Sequence, residues 1–580
     1  MGRERGVRGS GAGTAEQADG EGSATREGPA LWLRIVLADH VATEHGAREG
    51  GRQASLEQRA GFAPPQASDA VPWIVKAVRV HGACLAGAAA QLVTVEARFE
   101  PADQQRTEIV VTGLPDAVVR ESRGRVLSAL KENGLGLQGG RLHLNLAPAA
   151  RRKSGETLDL PMALCAAAAY GHIEGRALRS TLFVGELGID GRLHGVPGGL
   201  ATAAAAREAG LSSLVAPMAT AREAACLPDL EVCGADNLAQ VVAHVSGLRT
   251  LAPCRAQASE LTPAEGPSLD DVRGQAAAKR ALCIAAAGEH GILLVGPPGV
   301  GKSMLARSML RLLPPPSLEE RIEITRCLSA AGRWPGGLVR ARPFRAPHHT
   351  TSYAGLIGGG HEATPGEITL AHGGLLFLDE LPEFRREVLE ALREPLESGR
   401  ILLARARWRM ELPARFQLVA AMNPCPCGYD GHPRIPCACS ARAVARYRGR
   451  ISQPLLDRVE LRVHIAPPSF EELTGPPPAP ADGEREECLA RAGCAARERA
   501  HQRQGTRPNA DLGTGDLERW ARPDAEGLEL LRSAVEVKGL SARAVQSLRR
   551  VARTIADLGG REAISPAHLA EALALRGDGT

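Results

Sequence analysis

Residues 296–303 have the composition and spacing of a phosphate-binding loop. Gly296 is followed by four residues and then by Gly301, Lys302 and Ser303. In such a loop, backbone N–H groups surround the phosphates, the lysine reaches the β- and γ-phosphates, and the serine hydroxyl binds Mg²⁺. The sequence therefore predicts a site for a nucleoside triphosphate and its Mg²⁺. The predicted nucleotide contacts are Gly296, Pro297, Pro298, Gly299, Val300, Gly301, Lys302 and Ser303.

A second group of candidate residues is the acidic pair Asp379 and Glu380. The pair follows four apolar residues, 375–378, and so ends a predicted buried strand. Phosphoryl transfer to water needs a carboxylate that holds the metal and a group that orients and deprotonates the water. We assign the first role to Asp379 and the second to Glu380. The alternative is an exposed acidic turn, which the upstream phosphate-binding loop makes the weaker interpretation.

Strands and helices in a particular order must position these groups. Residues 292–295 are an apolar run typical of a strand buried on both faces, and residues 304–313 predict a helix that ends at the prolines 314–316. A further apolar strand, 416–422, ends at Asn423. The strand–loop–helix order argues against an accidental glycine-rich turn and predicts an α/β P-loop core.

Composition places few limits on the partners. The 580 residues leave room for several domains, and the net charge of +4 is too small to indicate a partner. The 13 cysteines, an odd number spread over a long chain, fit reduced thiols in a cytosol better than a disulfide framework. Because no apolar run could span a bilayer and no signal peptide is indicated, we expect a cytoplasmic protein without membrane contact. Residues 1–72 are rich in Gly, Ala, Glu and Arg and predict a disordered extension.

Four cysteines form two close pairs in the sequence. Cys425 and Cys427 are separated from Cys437 and Cys439 by a stretch that contains glycines and a proline. Four thiols at the ends of a turn can bind Zn²⁺ tetrahedrally, although the C-x-C spacing is tighter than the usual C-x₂-C. Two interpretations stay open: a Zn²⁺ site, and four thiols that bind no metal.

Residues 399–414 predict a hairpin with a basic, aromatic tip. Both ends of the stretch are apolar, and its middle contains Arg405, Arg407, Trp408 and Arg409. Arginines with an interleaved tryptophan can bind phosphates and stack on bases, which predicts contact with DNA. The alternative is a solvated hairpin on the outer surface.

Several longer stretches are similar to one family. They are residues 113–122 (GLPDAVVRES), 145–164 (NLAPAARRKSGETLDLPMAL), 183–200 (FVGELGIDGRLHGVPGGL) and 342–368 (RPFRAPHHTTSYAGLIGGGHEATPGEI). Together with the motifs above, they resemble the ComM/YifB-type Mg-chelatase-like AAA+ ATPases. The resemblance extends from about residue 74 to residue 576.

The resemblance implies an α/β fold of two parts. An α+β domain like the proteolytic domain of Lon proteases, with a ribosomal protein S5 domain 2-like fold, would precede an AAA+ P-loop NTPase core with a C-terminal helical lid. The implied boundaries are 73–247 for the Lon-like domain, 248–268 for a linker, 269–474 for the ATPase domain, and 475–580 for a Pro-rich spacer and the lid.

The Lon-like domain is expected to be non-proteolytic. The serine and lysine of Lon match Thr157 and Ala201 of this chain. A hydroxyl is a poor nucleophile at neutral pH without a neighbouring base, and alanine cannot take the proton. We therefore expect a structural role for this domain.

The resemblance also implies roles for three residues beyond the loop. Asn423 would help to hold the attacking water against the γ-phosphate. Arg458 would be an arginine finger that reaches the nucleotide of the neighbouring subunit, and Arg543 would be the sensor 2 arginine. An arginine on a helix is more often a solvated surface residue, and that alternative stays open. In a hexameric ring the hairpin 399–414 would point into the central pore.

The implied function is ATP-driven movement along DNA by a homo-hexamer. In this family a helicase promotes branch migration, so that DNA integrates during natural transformation or recombination; the expected partners are single-stranded and branched DNA. One alternative is the motor subunit of a metal chelatase, which needs a partner with an Asp-x-Ser-x-Ser motif that this sequence lacks. The other is a protein-remodelling AAA+ chaperone, whose pore loops would be aromatic and uncharged.

Overall fold

The computed structural model of the chain describes residues 77–102, 107–137, 139–149, 153, 155–256, 266–359, 364–405, 408–470, 472 and 485–577. The predicted disordered extension, residues 1–72, lies outside the described residues. Most of the predicted Pro-rich spacer that begins at residue 475 lies outside them as well.

Strands with one buried face build a mixed sheet in the first part of the chain. Along residues 140–147, buried residues alternate with more exposed ones, as expected when one face of a strand packs on a core. The strands of this region are β1 (Val78–Ala86), β2 (Ala89–Pro101), β3 (Thr107–Thr112), β4 (Gly140–Ala147), β5 (Thr181–Phe183), β6 (Glu186–Leu187), β7 (Leu193–His194), β8 (Ser213–Pro217) and β9 (Glu231–Ala235).

Among the described residues, seven of these strands form one sheet in the order β3-β4-β2-β1-β5-β8-β9. The pairs β1–β2 and β2–β4 are antiparallel and the other pairs are parallel, while β6 and β7 form a separate hairpin. The helices beside the sheet are Ala117–Glu132, Asp159–Tyr170, Gly199–Glu208, Met218–Ala224 and Leu238–Val245, with a 3₁₀ turn at Glu156–Leu158.

Apolar runs without alternation build a parallel sheet in the second part of the chain. The strands of this part of the chain, inside and outside the parallel sheet, are β10 (Ile292–Val295), β11 (Phe344–Arg345), β12 (Gly358–Gly359), β13 (Thr364–Pro365), β14 (Leu375–Leu378), β15 (Arg400–Arg405), β16 (Trp408–Pro413), β17 (Gln417–Met422) and β18 (Leu461–His464). Every residue of β10, β14 and β17 is buried. In the described part of the chain, five strands pair in parallel in the order β11-β14-β17-β10-β18. Their carboxyl ends therefore meet at one edge of the sheet.

Helices cover both faces of this parallel sheet, as the apolar composition of its strands requires. They are Ala276–Gly288, Lys302–Ser308, Leu318–Ala330, Tyr353–Ile357, Glu367–Leu370, Arg386–Ala391, Arg393–Ser398, Ala441–Arg448 and Gln453–Leu456, with 3₁₀ turns at Leu269–Asp271, Met309–Leu312 and Leu381–Glu383. The helix predicted over 304–313 begins two residues earlier, at Lys302, and continues as a 3₁₀ turn before Pro314.

Further helices follow the parallel sheet. They are Glu486–Gln504, Thr514–Trp520, Ala525–Lys538, Ala542–Leu558 and Pro566–Arg576, with a 3₁₀ turn at Asn509–Asp511. Leu548, Val551 and Ile555 pack in the same apolar cluster as strand β10. Buried polar contacts also join the two parts, since His290 Nε2 lies 2.7 Å from Thr554 Oγ1. None of the described helices combines the length and the apolar composition that crossing a membrane requires.

The hairpin predicted over 399–414 is confirmed. Strands β15 and β16 pair antiparallel from Arg400 opposite Pro413 to Arg405 opposite Trp408. The apolar base of the hairpin packs against the β1–β2 turn, where a side chain at Gly87 would lie 2.8 Å from Met410 and from Leu412. The hairpin is therefore fixed at its base to the first sheet.

Candidate nucleotide site

The phosphate-binding loop joins strand β10 to the helix that begins at Lys302. Gly299 and Gly301 both adopt positive φ, 79° and 89°, which favours glycine at these two positions. The ammonium Nζ of Lys302 donates to the carbonyl oxygens of Gly296 (2.7 Å) and Pro297 (2.8 Å). Burial lowers the pKa of Lys302, while the carboxylates of Asp379 and Glu380 act in the opposite direction. The side chain of Lys302 thus lies inside the loop, where loop carbonyls hold its Nζ.

The acidic pair follows strand β14 at the same edge of the sheet. The Oγ of Ser303 donates to Oδ2 of Asp379 at 2.7 Å. These two oxygens are the predicted Mg²⁺ ligands, and hydroxyl and carboxylate oxygens are the ligands that Mg²⁺ prefers. The oxygen ligands that Ser303 and Asp379 offer therefore fit Mg²⁺.

Asn423 lies between the loop and the acidic pair. It follows strand β17, which is paired to β14 on one side and to β10 on the other. Its Oδ1 accepts a hydrogen bond of 2.9 Å from Lys302 Nζ. The structure thus brings Lys302, Ser303, Asp379 and Asn423 together at the carboxyl ends of three adjacent strands.

Arg458 lies at the opposite edge of the sheet. It precedes strand β18, and its backbone carbonyl lies close to Gly291, the residue before strand β10. The loop leaves the other end of β10, and a strand of four residues spans about 13 Å. Arg458 is therefore not brought to the phosphate-binding loop of its own chain.

Arg543 lies with Arg458 rather than with the loop. Both guanidinium groups contact Oε1 of Glu397, and the distance from Arg543 Nη2 is 2.6 Å. The Nε of Arg458 is buried and has no hydrogen-bond partner among the described residues. Burial lowers the pKa of Arg458, and the charge of Glu397 opposes this. One carboxylate thus holds two arginines side by side.

The two arginines line a polar cavity of about 890 Å³. Its wall also contains Arg550 and Glu460. Burial raises the pKa of Glu460 to about 7, although its carboxylate accepts a 2.9 Å hydrogen bond from the backbone N–H of Gly291. Arginines and carboxylates therefore line this cavity together, at the edge away from the loop.

The four cysteines of the C-x-C pairs converge. Their sulfur atoms all lie within 4.8 Å of one another, with distances of 3.3 Å from Cys425 to Cys427 and 3.6 Å from each of these to Cys437. A disulfide would require about 2.05 Å. Four sulfurs bound tetrahedrally to Zn²⁺ lie about 3.8 Å apart. The sulfur positions therefore fit a tetrahedral metal site.

The cysteine cluster borders the nucleotide site. Cys425 lies two residues after Asn423. Gly428 packs so closely on the loop that a side chain there would lie 2.7 Å from Cδ of Pro298. Arg448 ties this segment to the helix Ala441–Arg448, because it donates to the carbonyl of Pro424 (3.1 Å) and to Asp430 (2.9 Å).

The residues predicted to contact DNA lie at the tip of the hairpin. Arg407 and the side chains of Arg405, Trp408 and Arg409 lie outside the described residues. The strands that carry them are described, and Arg400 at the base forms an ion pair of 2.7 Å with Glu411.

Thr157 and Ala201, the residues expected at the positions of the Lon serine and lysine, lie in the 3₁₀ turn Glu156–Leu158 and in the helix Gly199–Glu208. Thr157 is buried and its Oγ1 donates to the carbonyl of Ala83 at 2.7 Å. Ala201 is 1% exposed. The hydroxyl of Thr157 is thus hydrogen-bonded to a backbone carbonyl.

Two residues that contact the predicted site residues were missed from the sequence. His349 Nδ1 lies 3.2 Å from Oε2 of Glu380. The neighbouring His348 instead contacts Thr350 of its own segment, at 2.9 Å. The other missed residue is Glu397, which no sequence motif marks.

Family models match three parts of the chain. Residues 268–473 match magnesium chelatase, subunit ChlI, residues 95–220 match subunit ChlI of Mg-chelatase, and residues 484–576 match the C-terminal part of magnesium chelatase subunit ChlI.

Whole-chain relatives are also found. The chain is 39% identical to the uncharacterized protein YifB of Salmonella typhimurium and 40% identical to YifB of Escherichia coli, in each case over 86% of this chain and 96% of the relative. It is 39% identical to the competence protein ComM of Haemophilus influenzae, over 86% of this chain and 97% of that protein.

Proposed function

The chain belongs to the ComM/YifB-type Mg-chelatase-like family, and on this premise we propose that it is an ATP-dependent DNA helicase that works as a homo-hexamer. It would promote branch migration while DNA is integrated during natural transformation or recombination. The family supports ATPase activity. The main support for a ring is the position of these residues. Lys302 and Asp379 lie at one edge of the sheet, and Arg458 lies at the other.

Hydrolysis would use groups from two chains. When bound, Mg²⁺ would neutralise charge on the phosphates, and Ser303 and Asp379 would hold it. Lys302 would bind the β- and γ-phosphates after it leaves its carbonyl partners. Asn423 would orient the attacking water, and Glu380 would accept its proton.

The arginines of the neighbouring subunit would complete the site. Arg458 and Arg543 would leave Glu397 and bind the γ-phosphate, where they would stabilise the charge of the transition state. In a ring, the edge that carries the arginines of one subunit would face the loop of the next. The unpartnered Nε of Arg458 supports this role, since a buried donor without a partner is costly.

The remaining parts of the proposal concern the domains and DNA. The first sheet would be a Lon-like, non-proteolytic domain, and the helices after residue 485 would form the lid. Arg405, Arg407, Trp408 and Arg409 would bind single-stranded and branched DNA from the hairpin. Similarity to a competence protein over nearly the full chain supports DNA as the partner.

A metal-chelatase motor is the second candidate function, because the matching family models are those of magnesium chelatase subunit ChlI. The similarity to ComM across 97% of that protein favours the DNA function. A protein-remodelling chaperone is less favoured because the hairpin is rich in arginine.

Strand displacement on a three-stranded branched DNA tests the proposed function. We expect the wild type to displace the strand with ATP, and Glu380→Gln to bind the DNA without displacing it, since movement needs hydrolysis. The readout is the labelled strand released over time, with a non-hydrolysable ATP analogue as the control. A wild type that hydrolyses ATP but neither binds nor moves DNA would contradict the helicase proposal.

We also propose that Cys425, Cys427, Cys437 and Cys439 bind Zn²⁺. Metal analysis of protein purified without chelator is expected to give about one Zn²⁺ per chain. Cys437→Ser should lose most of it and should lower ATP turnover, because the cluster borders Asn423 and Pro298. Cys494→Ser is the matched control, since that thiol is exposed and lies outside the cluster. Wild-type protein without zinc would refute the site.

A further inference from the structure

Glu380 needs to be held in place if it is to act on a water molecule. Its side chain is 55% exposed, and its backbone adopts a positive φ of 51°. A glutamate carboxylate rotates about several bonds, and an exposed one samples many positions. A general base must lie within hydrogen-bond reach of the proton that it takes. Something must therefore restrict this side chain.

The imidazole of His349 contacts Glu380 from a different element. Nδ1 lies 3.2 Å from Oε2, one of the two oxygens of the carboxylate. This distance places the ring nitrogen and the carboxylate within ion-pair range of each other. The side chain of His349 is 30% exposed, so it is more enclosed than its partner.

The segment that carries His349 is anchored on both sides. Before it, strand β11 pairs with β14, and Arg345 makes a bidentate ion pair with Glu367, with distances of 2.6 Å and 2.8 Å. After it, Ser352 caps the helix Tyr353–Ile357, whose last two residues are buried. His349 thus extends from a fixed segment.

His348 stiffens the same segment from within. Its ring lies 4.1 Å from that of His349, centroid to centroid. Its Nδ1 contacts Thr350, and its carbonyl accepts from the N–H of Thr351 at 2.9 Å. His348 therefore has partners inside the segment, whereas His349 reaches across to the strand end that carries the acidic pair.

We propose that His349 is the positioning residue of Glu380. It holds one carboxylate oxygen, so that the other is directed at the attacking water. The proposal rests on the proposed function, in which Glu380 is the general base. It assigns to the segment that carries His349 a direct role in ATP hydrolysis, separate from any contact with DNA.

Steady-state ATP hydrolysis by three variants tests this. We expect His349→Ala to lower kcat about tenfold, with the KM for ATP changed less than about twofold, because a misplaced base slows proton transfer and leaves binding intact. His349→Asn should recover most of the loss, since its amide nitrogen takes the place of Nδ1. His194→Ala, the control, replaces an exposed histidine of strand β7 and should stay within about twofold of the wild type.

The Glu380→Gln background separates positioning from a structural role. There, His349→Ala should have little further effect on the residual rate, because the group that it positions is gone. An equal loss in both backgrounds would overturn the proposal, as would a wild-type kcat for His349→Ala beside a slow Glu380→Gln. If Glu380→Gln itself hydrolyses ATP at the wild-type rate, the assigned base is wrong and the proposed mechanism falls with this inference.

Discussion

Replacement of Glu380 by glutamine is expected to lower the kcat of ATP hydrolysis by about 10²- to 10⁴-fold. Glutamine has nearly the same shape but cannot accept a proton from water. Lys302, Ser303 and Asp379, the groups proposed to hold the nucleotide and its Mg²⁺, are unchanged, so ATP should still bind with an affinity within about threefold of the wild type. Phosphate release gives kcat, and titration with a fluorescent ATP analogue gives the affinity.

Glu383→Gln is the matched control for this variant. Glu383 lies three residues further along and forms a 2.8 Å ion pair with Arg450. Its replacement removes the same charge near the same strand end and should leave kcat within about twofold of the wild type, since surface substitutions have small effects. If Glu380→Gln turned over ATP as fast as Glu383→Gln, Glu380 would not be the base.

Arg458→Ala is expected to have an effect of similar size, a loss of about 10³-fold or more in kcat. A guanidinium that enters the site from outside neutralises charge that develops only in the transition state. The loss should therefore appear in kcat rather than in nucleotide affinity. Arg458→Lys should remain slow, because lysine lacks the planar fork of donors. Phosphate release at subunit concentrations that keep the ring assembled is the measurement.

Arg532→Ala serves as the control for Arg458. Arg532 pairs with Glu529 on an exposed helix face, at 3.3 Å. Its loss should leave both assembly and kcat near the wild-type values. Normal turnover by Arg458→Ala in an intact ring would remove this arginine from the mechanism.

The parallel core was predictable because its strands are short, apolar and followed by chemically distinctive residues. Strand β10 begins and ends where the apolar run 292–295 does. Strand β14 likewise ends immediately before Asp379. Strands at the centre of a parallel sheet are buried on both faces, so hydrophobicity alone marks them, and residues after their carboxyl ends share one edge. Lys302, Ser303, Asp379 and Asn423 could be grouped on this basis.

Contacts between distant segments could not be predicted in the same way. Glu397 and Arg543 are 146 residues apart, and neither the spacing nor the residue types indicate that they meet. Nothing in the sequence distinguishes the adjacent His348 and His349, so the contact of His349 with Glu380 could not be predicted. The short helix Thr514–Trp520 was also missed, since seven residues give too little periodicity to mark a helix.

The cysteine cluster could be predicted only in part from the sequence. From their spacing alone, both a metal site and four thiols without a metal were possible, because the C-x-C pairs leave little room for a tetrahedral arrangement. The fold brings the two cysteine pairs together, with Cys437 at 3.6 Å from both Cys425 and Cys427. Two N–H groups also point at the sulfurs, from Asp430 to Cys425 (3.3 Å) and from Cys439 to Cys437 (3.4 Å).

The central claim is that each nucleotide site is shared by two copies of the chain, and mixing two inactive variants tests it most directly. Lys302→Ala lacks the loop lysine and Arg458→Ala lacks the finger, so each alone should be inactive. In a ring mixed at equal ratio, about a quarter of the interfaces would combine an intact loop with an intact finger. We predict that ATP hydrolysis returns on mixing, to about a quarter of the wild-type rate. A mixed ring no more active than the sum of its two parts would contradict the shared site.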